Sequence, residues 1–279
     1  MVRTELQPIT RSELVTDLRR LGVRSGDTIM LHASVKAIGW IVGGPDVVIL
    51  ALLDVLGRRG TLLMYVAWEE DAPYSLAELP SKWQEAYLKE CPPFDPARSR
   101  ANRGWSILTE YLRTWPGAYR SANPEASCVA VGAKAQWLTQ NHPLQYGYGP
   151  GSPLAKLCES KGRVLLLGAP FGSITVLHYA ESIADVPNKR VIHYQIPVLR
   201  NGKRVWVEIE EFDTCGSVLP NAEQYFDTIP REYSASGKGA SGRVGTAASH
   251  LFDALDFVNF AVQWLEKEFS QRQDHTDSR

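Results

Sequence analysis

Helices alternate with short apolar strands through the first part of the chain, and this alternation restricts the fold more than any other feature. Thr10 and Glu13 form the pattern of a capping box ahead of the first helix. An apolar strand at 28–34, a helix at 46–57 and a second strand at 61–68 follow. This alternation is typical of layered proteins, so the sequence predicts an α/β fold, a layered sheet with flanking helices.

The composition is that of a globular protein without a strongly charged surface. The chain has 279 residues, 44% of them hydrophobic, and a formal net charge of -1, so no basic surface for nucleic acid is expected. No apolar run approaches the roughly 20 residues that span a bilayer, and no signal peptide is visible. The four cysteines are widely spaced and form no CxxC pair, which favours a reducing compartment. We expect a cytoplasmic protein without a metal or a membrane association.

Residues 1–279 are interpreted as one domain with a lid-like insertion. The segment 69–102 is rich in proline and charge and interrupts the alternation, as an insertion over a site would. Further along, two strands are predicted on either side of Asn201-Gly202, a hairpin signal. A closing helix is predicted over 251–269, followed by a disordered polar tail from about residue 270.

One strand runs directly into a helix that carries chemically useful side chains. The stretch "RVLLLGAPFGSITVLHYAE" places Ser173 and Thr175 where such proteins hold phosphorylated ligands. His178, Glu181 and Asp185 share one face of a predicted helix over 174–185. They form either a solvated polar face or a general base held by an acid, a role that suits an imidazole with an ordinary pKa of about 6.5.

Two other regions carry candidate binding residues. Ser34 and Lys36 follow the first strand and are either a capping serine with an exposed lysine, or part of a phosphate cradle. Acidic runs at 68–71 and 208–213 stand beside aromatic residues. These runs are either solubilising surface or a site for a polycation. Sequence motifs of the α/β-hydrolases, the Walker-loop proteins and the zinc proteases are missing.

Several motifs together resemble those of the aminoglycoside 3-N-acetyltransferases, especially the type III branch. They are "LHASVKAIGWIVGGPD", "PPFDPARSRANRG", "RTWPGAYRSANPEASCVAVG", "YGYGPGSPLAKL" and "LLLGAPFGSITVLHYAE". The resemblance covers about residues 10–269 and implies the non-GNAT antibiotic N-acetyltransferase fold. It also implies inactivation of the antibiotic by direct acetyl transfer from acetyl-CoA, the cosubstrate, to the 3-amino group of 2-deoxystreptamine.

The resemblance also assigns roles to individual residues. His178 is expected to be the base, held by Glu181 or Glu211. Many members of the wider family have histidine where this chain has Asn123, so His178 must supply the base here. The expected coenzyme residues are Ser34, Val35, Lys36, Gly172, Ser173 and Thr175. The expected antibiotic residues are Tyr65, Trp68, Asp71, Tyr146, Glu211 and Asp213.

Two alternatives stay open at this point. The chain could acylate another amine, such as an amino sugar or a nucleotide, although dense carboxylates favour a polyamine over a phosphorylated substrate. It could also bind coenzyme A without catalysis. That hypothesis predicts that His178 packs against apolar neighbours with no cavity beside it.

Overall fold

The computed structural model describes residues 7–69, 76, 79–214, 218–219 and 225–270. A seven-stranded mixed sheet lies at its centre. Its strands are β1 Thr28–Ala33, β2 Thr61–Tyr65, β3 Tyr119–Arg120, β4 Cys128–Gly132, β5 Arg163–Leu167, β8 Ala240–Val244 and β9 Ala247–Asp253. They lie in the order β3-β4-β2-β1-β5-β9-β8. Strands β2, β1 and β5 are parallel, and the outer strands pair antiparallel. Strands β6 Val191–Arg200 and β7 Lys203–Phe212 form a separate hairpin.

Helices cover both faces of the sheet. They are α1 Arg11–Leu21, α2 Val35–Ile38, α3 Asp46–Leu56, α4 Ser81–Glu90, α5 Ile107–Arg113, α6 Ala135–Thr139, α7 Pro153–Glu159, α8 Val176–Ile183, α9 Tyr225–Ala235 and α10 Ala254–Ser270. Because side chains alternate along a strand, β1 contributes to two cores. Ile29 and Leu31 pack with α1 and α3, while Met30 packs on the opposite face with α7, α8 and α10.

Most of the elements predicted from the sequence are present. Thr10 accepts from the backbone of Glu13, whose carboxylate accepts from the Thr10 backbone, so the capping box forms. The predicted hairpin turns at Asn201 and Gly202, both with positive φ.

The C-terminal region differs from the prediction. Leu251–Asp253 belong to β9 and not to the closing helix, which starts at Ala254. No glycine or proline separates the strand from the helix, so the apolar run gave no boundary signal. The sequence analysis also missed β8 and α9, the second of which contains Pro230 inside the helix.

The predicted insertion is anchored at its C-terminal end. Helix α4 buries none of its residues, but the chain that follows it is tied to the hairpin. Phe94 is 1% exposed and its backbone N–H donates to the Pro197 carbonyl. Arg204 donates to the carbonyl of Cys91 from the other strand. The tail was predicted from about residue 270, but Ser270 is the last residue of α10. The rest of the predicted tail, and Asp71, lie outside the described residues.

Candidate active site

The ends of β1 and β5 bring the two predicted phosphate motifs together. Ala33 pairs with Leu167 at the last position of both parallel strands, and Ser34 N–H donates to the Leu167 carbonyl at 2.9 Å. Gly168 then turns with φ of +63°, and a Cβ there would lie 2.5 Å from the Ala37 Cβ. A glycine at 168 therefore allows the turn after β5 to pack against α2.

One cavity of about 850 Å³ opens at these strand ends. A cavity of that size lies within the ordinary range for small-molecule sites. All six residues expected on the coenzyme side line it, and so do Tyr65 and His178. The six are Ser34, Val35, Lys36, Gly172, Ser173 and Thr175. Residues 103–107, just beyond the predicted lid, line the cavity as well.

His178 and Glu181 form a hydrogen-bonded pair on α8. The Nδ1 atom of His178 lies 2.6 Å from Oε2 of Glu181, which is 2% exposed. Tyr225, on α9, donates its hydroxyl to the other oxygen of the same carboxylate. A carboxylate can only accept from these partners, so the neutral imidazole carries its proton on Nδ1 and leaves Nε2 with a free lone pair.

The imidazole of His178 is held between two aromatic rings. The ring centroids of Tyr148 and Phe226 lie 4.9 Å and 4.7 Å from it. Its side chain is 17% exposed, on the cavity side, and within the described residues Nε2 has no hydrogen-bond partner. Helix α8 ends at Ile183, two residues before the expected end. Asp185 therefore does not share the helix face of His178.

Glu211 does not hold the imidazole. Its carboxylate accepts from the backbone N–H groups of Gly147 and Phe212, and its side chain is 2% exposed. Burial and the nearby charge of Glu125 raise its pKa from 4.5 to about 8. The expectation that Glu181 or Glu211 holds His178 is therefore resolved in favour of Glu181.

Asp213, Tyr146 and Trp68, three further residues expected to bind the antibiotic, are not part of the cavity lining. Asp213 forms an ion pair with Arg190. The hydroxyl of Tyr146 donates to Glu210 at 2.5 Å. Trp68 is 4% exposed and packs on Phe94, with ring centroids 5.6 Å apart. The side chains of these three residues therefore do not reach the cavity.

Glu125 is a carboxylate of the cavity that the sequence analysis missed. It is 7% exposed, lines the cavity and accepts from the Tyr194 hydroxyl. The Tyr65 hydroxyl lies 3.1 Å from its backbone carbonyl and 2.9 Å from the hydroxyl of Tyr148. A single acid before a strand gives no cluster or spacing signal, so the sequence did not distinguish Glu125 from a surface residue.

Asn123 fills a structural position. Its amide nitrogen donates to the Pro143 carbonyl at 2.8 Å, and its oxygen accepts from the Ala126 N–H at 2.8 Å. The side chain is 3% exposed. Its hydrogen bonds join the loop before β4 to the loop before α7.

No group of three or more His, Cys, Asp or Glu side chains among the described residues is placed to hold a metal ion. None of the helices in the described ranges is long and apolar enough to cross a membrane.

The fold and the site together indicate the class of protein. The mixed sheet of this α/β fold carries a cavity with a strand–turn–helix cradle on one wall and an oriented imidazole on another, as expected of a group transferase that uses a base. The family model for aminoglycoside 3-N-acetyltransferase matches residues 30–266. The chain belongs to the aminoglycoside 3-N-acetyltransferase family.

Individual relatives are similar over nearly the whole chain. Aminoglycoside N(3)-acetyltransferase III of Pseudomonas aeruginosa is 51% identical over 94% of this chain and 95% of the relative. A solved structure of AAC-IIIb in a binary complex with CoASH is 48% identical, with a TM-score of 0.88 over 94% of this chain and 98% of that one. Sisomicin-bound AAC-VIa is 39% identical, with a TM-score of 0.88 over 94% of this chain and 100% of that one. The family and the fold expected from the sequence are confirmed.

Proposed function

We propose that this chain transfers the acetyl group of acetyl-CoA to the 3-amino group of 2-deoxystreptamine aminoglycosides, with His178 as the general base. The observation that carries the proposal is the hydrogen-bonded series of Tyr225, Glu181 and His178 at the wall of the cavity. Relatives that bind CoASH and sisomicin support the two substrates. Acetylation turns a charged amine into a neutral amide and so inactivates the antibiotic.

The hydrogen bond at Nδ1 decides how the imidazole acts. An ammonium group has no lone pair, so the amine must lose a proton to attack the thioester. Nε2 of His178 accepts this proton, and the buried carboxylate of Glu181 stabilises the imidazolium that forms. The amine nitrogen bonds to the carbonyl carbon, the C–S bond breaks, and the imidazolium returns its proton to the coenzyme thiolate. The nitrogen loses a second proton to solvent as it becomes the neutral amide.

The coenzyme side of the cavity fits a phosphorylated donor. Lys36 supplies a positive charge beside the backbone of Ser34 and Val35, and the turn at 172–175 leads into α8. A Cβ at Gly172 would meet no atom within 4 Å, so this backbone is open to a ligand. We therefore place the phosphate and pantetheine groups of acetyl-CoA along these two strand ends.

The antibiotic side is built on carboxylates and tyrosines. We propose that Tyr65 and Glu125 contact the aminoglycoside, because both line the cavity close to the base. Glu211 lies near enough to Glu125 for the two carboxyl groups to interact, and this interaction contributes to the raised pKa of Glu211. Tyr146, Trp68 and Asp213 would shape this wall from outside the lining, and 69–102 would cover it as a lid.

We also propose that the chain acts in the cytoplasm as one domain. Cys128 and Cys158 are free thiols and buried, as expected in a reducing compartment.

The non-catalytic alternative is not supported. It requires a packed His178 with no cavity beside it, whereas the imidazole lines a cavity of about 850 Å³. The alternative of a different amine is tested by substrate choice, since a cavity with carboxylates favours polyamines over phosphorylated amines.

The central experiment replaces His178 with alanine. A positioned base contributes about 10²- to 10⁴-fold, so His178→Ala should lower kcat by at least a hundredfold in an assay of coenzyme thiol release with gentamicin. The antibiotic and acetyl-CoA affinities should change little, since the proton moves only during reaction. His193→Ala, on the exposed hairpin, serves as the control. A His178→Ala variant that keeps more than a tenth of its turnover would exclude the base role, and turnover of only non-aminoglycoside amines would favour the other substrate.

A further inference from the structure

A second histidine lines the cavity, and the mechanism above gives it no role. His32 lies on β1 between Leu31 and Ala33, which pack on the opposite face of the sheet. Its ring therefore points to the same side as Met30, the side that α8 covers. His32 pairs with Leu166 of β5. Its position is the floor of the cavity, two residues before Ser34.

The imidazole of His32 is not satisfied by the protein. Its Nε2 atom is buried and has no hydrogen-bond partner among the described residues. Buried polar atoms of folded proteins almost always have a partner, and an exception requires an explanation. His142, the other strongly buried imidazole, has both nitrogens bonded, to Ser121 and to the Gly147 carbonyl. His32 thus differs from a structural histidine of the same chain.

The charge state of His32 restricts what it can bind. Burial lowers its pKa to about 4, so the ring is neutral when the enzyme works. A neutral ring has one N–H donor and does not compete with His178 for the proton. It carries no charge that would attract a phosphate, so it is suited to a neutral oxygen that becomes negative during the reaction, as neutral histidine is in some other enzymes.

The order of the groups around the cavity places the reacting thioester near His32. Ser34 and Lys36 continue from β1 on the proposed coenzyme side, while Tyr65 lies on the neighbouring strand on the antibiotic side. Met30 of β1 pairs with Leu63 of β2. His32 and Tyr65 each lie two residues further along these strands, so they occupy neighbouring positions. The same strand face thus carries His32 and Tyr65 side by side. The acetyl group must lie where these two sides meet.

We infer that His32 donates a hydrogen bond to the carbonyl oxygen of the acyl thioester and stabilises the oxyanion that forms on it. This inference rests on the proposed acetyl transfer. As the amine nitrogen bonds to the carbonyl carbon, the electron pair of the C=O double bond moves to oxygen, where the His32 N–H meets it. The pair returns when the C–S bond breaks, and His32 keeps its own proton throughout.

Infrared spectroscopy can detect the hydrogen bond between His32 and the thioester carbonyl without any turnover. Acetyl-CoA labelled with ¹³C at the carbonyl is bound to the enzyme without an aminoglycoside, and its infrared carbonyl band is recorded. A hydrogen bond from His32 lowers the frequency of that band relative to free acetyl-CoA. His32→Phe keeps a flat ring without a donor and should return the band towards the free value. His32→Gln, which keeps an amide donor, should restore part of the shift.

Kinetic data on the same variants complete the test. Loss of one oxyanion donor costs about 10²- to 10³-fold in kcat, so His32→Phe should fall in that range and His32→Gln should be at least tenfold faster. Affinity for coenzyme A thiol, which has no acyl oxygen, should stay within about threefold. If the phenylalanine variant does not fold, His32→Leu replaces it.

Two results would overturn the inference. One is the same carbonyl band in the wild type and in the variant without a donor, and the other is a kcat within tenfold of the wild type. A wild type that transfers no acetyl group to any aminoglycoside contradicts the proposed function instead, and the infrared band still decides whether His32 binds the carbonyl.

Discussion

Glu211 should make the stability of the protein depend on pH in a way that one substitution removes. Its pKa is raised from 4.5 to about 8 by burial and by Glu125. Between these two pH values the folded state binds more protons than the unfolded state, so stability falls as pH rises through that window. The difference corresponds to about 5 kcal/mol at 1.36 kcal/mol per pH unit.

Glu211→Gln removes the charge but also one acceptor oxygen. The two carboxylate oxygens accept from Gly147 and Phe212, and the amide leaves one of these N–H groups without an acceptor, at a cost of about 1–3 kcal/mol. We therefore expect the variant to be less stable than the wild type below pH 5. Above pH 8 it should be more stable, by about 2–4 kcal/mol when this cost is set against the charge effect. The two stability curves should cross between these limits.

Urea unfolding at pH 5, 7 and 9 measures this effect as the free energy of unfolding. Glu208→Gln is a matched control, because Glu208 is exposed on the same strand and should leave the slope unchanged. If wild type and Glu211→Gln lose stability in parallel between pH 5 and 8, Glu211 is not the carboxyl that titrates.

Three further predictions follow from single contacts. Tyr225→Phe removes one of the two donors to Glu181. The loss of a hydrogen bond to a charged group should lower kcat about tenfold and leave KM for either substrate unchanged. An equal loss in kcat and in affinity would contradict this. Lys36→Ala should weaken acetyl-CoA binding about tenfold, because a hydrogen bond between charged groups is lost, and calorimetry measures this affinity. Unchanged binding would place the phosphates elsewhere. Gly168→Ala puts a Cβ 2.5 Å from the Ala37 Cβ. It should lower the free energy of unfolding, measured by urea denaturation, by about 1–3 kcal/mol. A smaller change would show that α2 shifts to accommodate the methyl group.

Sequence patterns predicted those contacts of the site that form between residues close together in one helix or at the ends of two adjacent strands. His178 and Glu181 are three residues apart on one helix, so their contact follows from helix periodicity. The meeting of Ser34 with the turn after β5 follows from two parallel strands that end at the same edge. In both cases the sequence contains the whole geometric argument, and the structure agrees with it.

Contacts between distant segments could not be predicted in the same way. Tyr225 reaches Glu181 across 44 residues of sequence, and its helix was not predicted at all. Glu211 and Glu181 were equal candidates from sequence, because the choice depends on where the β6–β7 hairpin packs. That hairpin places Glu211 against the backbone of Gly147, away from the base.

The acidic runs show why a count of charges predicts a binding surface poorly. Asp213 was expected to face the antibiotic, but Arg190, across 23 residues of sequence, neutralises it. Glu125 stands alone in the sequence, yet it lines the cavity and is buried there. A carboxylate attracts an ammonium group strongly only where no protein cation is closer and where water is excluded. Asp213 does not meet this criterion, because Arg190 forms an ion pair with it, and the charge-dense run is therefore a weak guide to the site.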